Sequence, residues 1–104
     1  MTLVPKLIFL FAGHALCDFA GQGDFMAKGK NQRAPIPGVP FYQCLFAHAL
    51  IHAGMVYLIT RNPWLFLAEL IIHSVIDYVK CDDRLTFNQD QFLHYACKIA
   101  WAIL

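Results

Sequence analysis

At 104 residues the chain makes one domain at most, and 59% of it is hydrophobic where roughly 45–50% is usual for soluble domains. Charged residues supply only 14%, against about 25% ordinarily, the mean hydropathy is +0.50, and a chain this short cannot bury that much apolar surface within itself, so lipid or an extensive partner interface must cover it. A formal net charge of +1, with no basic stripe interleaved with aromatics, excludes nucleic acid as a partner.

The first apolar segment runs from about residue 3 to 20. Pro5 suits a first helical turn, and Lys6, His14 and Asp18, with no A-x-A cleavage pattern, mark a retained helix rather than a signal peptide. His14 and Asp18 stand one turn apart on one face, with Gln22 four residues further. Residues 21–40 carry Gly21, Gly23, Gly29, Gly38, Pro35, Pro37 and Pro40, which predict an irregular connection. This connection is also the most basic one, through Lys28, Lys30 and Arg33.

A second apolar segment covers about 41–60 and carries Cys44, His48 and His52 at four-residue spacing. Asn62 and Pro63 read as N-cap and first residue of a third, about 63–80, whose stripe is Glu69, His73 and Asp77. The fourth, about 89–104, opens where Asn88 with Gln91 resembles a capping box and carries Asp90, His94 and Lys98. Each segment reaches, or falls just short of, the length that crosses a bilayer. The expected fold is all-α, a four-helix up-down transmembrane bundle forming a single membrane domain over residues 1–104. Lys28, Lys30, Arg33, Lys80 and Arg84 fall in the first and third connections and only Arg61 lies opposite, so those connections face the cytoplasm of a bacterial inner membrane. Phe41, Tyr42, Trp64, Tyr78 and Trp101 sit near helix ends as interfacial anchors do. Cys17, Cys44, Cys81 and Cys97 form no C-x-x-C pair and read as small buried hydrophobes.

All five histidines lie inside the apolar segments. With the helices antiparallel, His14, His48, His73 and His94 reach one level, roughly 8–10 Å inside the cytoplasmic edge. Asp18, Asp77 and Asp90 sit one turn shallower, and His52 and Glu69 one turn deeper. Ionisable groups in a membrane cost about 2.5–3.5 kcal/mol each, which makes so many of them a costly way to hold helices together and points to a functional site. Imidazoles and carboxylates without clustered thiolates suit a divalent metal, zinc first and manganese or iron next, with ligands enough for one or two ions. The expected metal ligands are His14, Asp18, His48, His73, Asp77 and His94. Asp90, Glu69 and His52 are the expected catalytic or supporting groups.

The runs H-A-L-C-D-F-A-G-Q-G-D-F-M-A-K from His14 to Lys28, H-A-L-I-H from His48 to His52, H-S-V-I-D-Y-V-K from His73 to Lys80 and D-Q-F-L-H from Asp90 to His94 occur in this order along nearly the whole chain. The pattern resembles a domain-of-unknown-function family of small bacterial and phage membrane proteins, which implies no established activity. It is distantly similar to inner-membrane proteins described as metal-dependent hydrolases, which implies hydrolysis. The expected function is therefore a membrane-embedded metal-binding protein, a metal-dependent hydrolase acting at the cytoplasmic face on a phosphate-containing or lipid-linked substrate. Lys28, Lys30, Arg33 and Gln22 are the expected substrate-binding residues. The alternative is a proton or metal-ion pathway, or a small structural membrane protein whose His/Asp layer holds the bundle together; in either case membrane lipid and a second copy of the chain are expected partners.

Overall fold

Every apolar segment of the chain becomes a helix, and the structure, a computed structural model describing residues 1–104, contains no strand. Helix α1 spans Leu3–Ala15 and passes without a break into a π-helical turn, Leu16–Ala20. It is followed by α2 (Gly23–Gly29), α3 (Phe41–Thr60), α4 (Pro63–Cys81) and α5 (Phe87–Ile103). Helix α3 packs on α4, α1 on both α3 and α5, and α4 on α5, so each of these four touches two others, while α2 lies on α3. The molecule is elongated, 45 × 23 × 23 Å.

Local chemistry accounts for most boundaries. The Asn62 side chain accepts a hydrogen bond from the backbone of Trp64 at 2.9 Å, with Pro63 supplying a first position that needs no donor. The start of α5 differs from expectation: Thr86, not Asn88, is the N-cap. Its hydroxyl accepts from the Gln89 backbone at 3.1 Å while the Gln89 side chain accepts from the Thr86 backbone at 3.0 Å. A complete T-x-x-Q box two residues upstream outcompetes the single Asn88–Gln91 pairing, and it leaves Gln91 free to turn inward. Within residues 21–40, expected to be irregular throughout, Gly23–Gly29 forms a short helix. It begins at Gly23, whose positive φ of +67° few other residues would accept, and carries Asp24 in its first turn and Lys28 in its last, as the helix dipole favours.

Two helical stretches, Leu3–Ala20 and Phe41–Thr60, are long and apolar enough to cross a membrane. Helix α4 carries Glu69, Asp77 and Lys80, and α5 is only 17 residues long with Asp90 and Lys98 inside it, which is why neither meets the same standard.

The interior is divided. Toward one end, Leu10, Val56, Leu65, Trp101 and Ala102 form an apolar cluster with Leu7, Ile59, Ala68 and Cys97 against it. Trp101, expected as an interfacial anchor, is instead part of this core, because its indole N–H finds an acceptor inside. Toward the other end most buried residues are polar, with Cys17, Cys44, Leu45, Ala49, Ala53 and Ile76 between them. Of 24 buried residues, eleven are polar or charged, as many as the eleven buried hydrophobic ones. Meanwhile Ile8, Phe9, Leu58, Ile71, Val75 and Phe92 are exposed.

Candidate metal centre

The polar interior is built by one stripe from each of α1, α3, α4 and α5. His14, His48, His52, His73 and His94 are each only 1% exposed, and the most accessible acid of the group, Asp18, is 9% exposed. Asp18 stands in the π-helical turn, where the Gly21 backbone N–H reaches back to the Leu16 carbonyl at 2.6 Å. Such a turn holds more residues than an α-turn and re-aims the side chains within it. The Asp18 carboxylate accordingly meets α3 and α5 at once. Its Oδ1 lies 3.1 Å from His48 Nε2 and 3.3 Å from His52 Nε2, and its Oδ2 accepts from Gln91 Nε2 at 2.8 Å.

Asp77 on α4 is the second hub. Its Oδ2 accepts from the Lys30 ammonium at 3.0 Å and lies 3.3 Å from His73 Nε2 and 3.5 Å from His48 Nε2, while its Oδ1 is 3.2 Å from His94 Nε2. Asp90, one turn before His94, approaches the same Nε2 at 3.3 Å and accepts from Gln91 Nε2 at 3.1 Å through its other oxygen. One turn deeper, Glu69 is fully engaged: Lys98 donates to both oxygens at 2.9 Å, Trp101 donates to Oε1 at 2.8 Å, and Oε2 faces His73 Nδ1 at 2.9 Å.

Over residues 6–104 the chain matches the model of a family described as a protein of unknown function, DUF3307. The chain belongs to this family. No curated protein and no solved structure matches it. The whole polar layer of this DUF3307 chain, from His14 to Lys98, lies within the matched residues.

The donor set fits a metal ion. Asp18, His48, His52 and His73 form one group and His73, Asp77 and His94 a second, each with its ligand atoms within 4.8 Å of one another. At bond lengths of about 2.0 Å, tetrahedral ligands stand about 3.3 Å apart, close to the 3.1 and 3.3 Å separating Asp18 from His48 and His52. His52 Nε2 and His73 Nε2 are buried without a hydrogen-bond partner. Glu69 on His73 Nδ1 fixes that ring with Nε2 inward, the arrangement by which carboxylates orient metal-binding imidazoles. These buried His and Asp groups can therefore hold a metal ion. Three imidazoles with a carboxylate suit zinc, and two imidazoles with a carboxylate suit iron(II).

The residues singled out in the sequence are not all brought into these groups. His14 stands beside them, its Nε2 3.1 Å from the Gln91 amide oxygen and 3.6 Å from Asp18, with Nδ1 unpartnered. His52, expected as a catalytic or supporting residue, lies among the ligands of the first group, and Glu69, expected in the same role, has no free oxygen. Of the four residues expected at substrate, Lys28 is exposed, Arg33 contacts Asp82 and Asp83 on the surface, and Gln22 donates to the Asp18 carbonyl. Lys30 points inward and is buried on Asp77, because Gly29 lets the end of α2 press against Cys44 on α3. Four cavities mark the surface, none lined by a residue of the layer. Sequence reasoning missed Gln91, which joins Asp18, Asp90 and His14. The available signal was its position three residues before His94, on the same helical face.

Proposed function

We propose that this chain is a membrane-embedded metal-binding protein, a four-helix transmembrane bundle whose His/Asp layer holds a divalent cation near the end bearing residues 21–40. The observation that carries this reading is the inverted distribution of side chains. Polar and charged residues fill one half of the interior while large hydrophobic side chains cover the outside, the arrangement that lipid rather than water favours. The 45 Å length matches the roughly 40–45 Å of a bilayer with its headgroups. Connections one and three lie at the same end, since Gln32 donates to the Tyr78 carbonyl and Arg33 to the Asp82 carbonyl, and the positive-charge bias of both supports a cytoplasmic position for that end.

The layer is one-sided. Beyond Glu69 and Lys98 the apolar cluster of Leu10, Val56, Leu65 and Trp101 closes the interior, which speaks against a path for protons or ions to the far face. A layer lying toward one end of the interior suits chemistry at that face, and the reaction we propose is hydrolysis of a phosphate-containing or lipid-linked substrate. A bound divalent ion supplies Lewis acidity and eases deprotonation of water. Asp90, whose Oδ1 is buried without a hydrogen-bond partner, accepts the proton, Lys28 and Arg33 at the same end attract the anionic group, and Gln91 holds Asp18 and Asp90 in register.

Protein extracted from membranes in detergent and analysed for metals tests the reading. A bound divalent metal that raises the thermal stability, with metal content and stability both lowered in His73→Ala, is the expected result. A metal-free protein that gains no stability from zinc, manganese or iron contradicts it. The hydrolytic step is tested by metal-dependent release of phosphate from phosphatidic acid in mixed micelles, expected to vanish in Asp90→Asn with the metal retained. Equal release by that variant contradicts the role of Asp90.

A further inference from the structure

The two ligand groups suggest two ions, but they share His73, whose Nδ1 is taken by Glu69 and whose Nε2 can serve only one, and the buried charges do not favour two either. Glu69 and Lys98 form a closed pair, which leaves Asp18, Asp77 and Asp90 against Lys30. Counted over the carboxylates and ammonium groups alone, three negative charges and one positive leave two negative charges, and His94, between Asp77 and Asp90, stands where it can supply a further positive one. In a low-dielectric interior an uncompensated charge is strongly disfavoured. One divalent cation is enough to offset the carboxylates, whereas a second would leave the layer with an excess of positive charge.

Lys30 already brings a positive charge to the second group. Its ammonium lies 3.0 Å from Asp77 Oδ2, on the carboxylate of the His73–Asp77–His94 group. The placement is built from both sides. A Cβ added at Gly29 would lie 2.6 Å from Cys44 Sγ, so glycine is what allows the chain to pass close enough to α3 for Lys30 to turn inward. Immediately after it, Gln32 and Arg33 fasten the chain to carbonyls at the end of α4, at 2.8 and 3.1 Å. In the first group, by contrast, no lysine is paired with Asp18, and His52 Nε2, 3.3 Å from Asp18 Oδ1, lacks a hydrogen bond.

We propose that Lys30 is a tethered cation filling the second ligand group, so that the layer holds a single divalent ion, at Asp18, His48, His52 and His73. This rests on the metal-binding reading above and adds its stoichiometry and its site. Zinc bound per chain, measured by mass spectrometry after equilibrium dialysis of the detergent-solubilised full chain, is the test. The wild type is expected to bind one zinc ion. Lys30→Glu, which takes the same count from two negative charges to four, is expected to bind two. Lys30→Gln, which removes the charge at nearly constant length, is expected to bind a second zinc more weakly than the first. Lys30→Arg and the surface change Lys80→Glu are expected to remain at one. No zinc in the wild type overturns the metal-binding reading itself. Two in the wild type, or one in both Lys30→Glu and Lys30→Gln, overturns the inference about Lys30 and leaves that reading standing.

Discussion

Glu69 touches three other side chains and no face of the protein, so its worth can be separated from that of the ligands it supports. Replacing it by Gln leaves Lys98 without its counter-charge, which should cost about 3–5 kcal/mol in thermal or denaturant unfolding. The double change Glu69→Gln with Lys98→Met should regain most of that loss, because removing both members of a buried pair is far less costly than removing one. Metal affinity should still fall about 10–100-fold in both variants, since His73 loses the carboxylate that orients it. Titration with zinc separates the two effects. Leu67→Ala, on the exposed side of α4, should leave metal content unchanged. Affinity should also decline as pH falls through the range where free histidine protonates, near a reference pKa of about 6.5, because protons and metal compete for the same nitrogens. At this level the sequence was readable where residues pair along one helix: His14 with Asp18, Glu69 with His73 and Asp90 with His94 all follow from four-residue spacing. It was opaque where partners come from elsewhere, as with Gln91 on Asp18, Trp101 on Glu69 and Lys30 on Asp77. Spacing assigns a residue to a helix face without saying which neighbour that face meets.

Helix positions were legible because apolar runs and breakers coincide, and α3 begins and ends at the residues expected from sequence, 41 and 60. What escaped was the fine register of α5 and the π-helical turn after α1. Two adjacent boxes competed at the start of α5, and the one with both reciprocal hydrogen bonds prevailed. Thr86→Ala should therefore cost about 1 kcal/mol of stability and Asn88→Ala much less, a difference that thermal unfolding in detergent can resolve. No apolar period announces a π-turn, whose effect is to aim Asp18 at α3. The orientation of the elements is tested by single-cysteine labelling in a background lacking the native cysteines. Position 33 should react only after the inner face is exposed and position 61 from outside intact cells. Labelling of position 33 from outside would invert the arrangement and put the His/Asp layer at the opposite face.

The molecule as a whole joins an apolar exterior to an interior that is polar toward one end and apolar toward the other. Because Ile8, Phe9, Leu58, Ile71, Val75 and Phe92 are exposed together, the chain should fractionate with membranes and need detergent to remain monodisperse. A stable monomer in plain buffer would contradict this. Composition alone foretold that exterior, since a short chain with so few charges has too little polar surface to cover itself. The interior was less legible, because depth along a helix can be counted from sequence but the apolar cluster closing the far end depends on how Leu10, Val56, Leu65 and Trp101 meet across helices. The central claim is that a metal ion sits in the His/Asp layer, and X-ray absorption at the metal edge of detergent-purified protein loaded with zinc tests it most directly. A first shell of nitrogen and oxygen at about 2.0–2.1 Å with the outer scattering of imidazole rings, diminished in His73→Ala, is the predicted spectrum. A shell containing sulfur at about 2.3 Å, or imidazole scattering unchanged in that variant, would move the metal out of the layer and contradict the account.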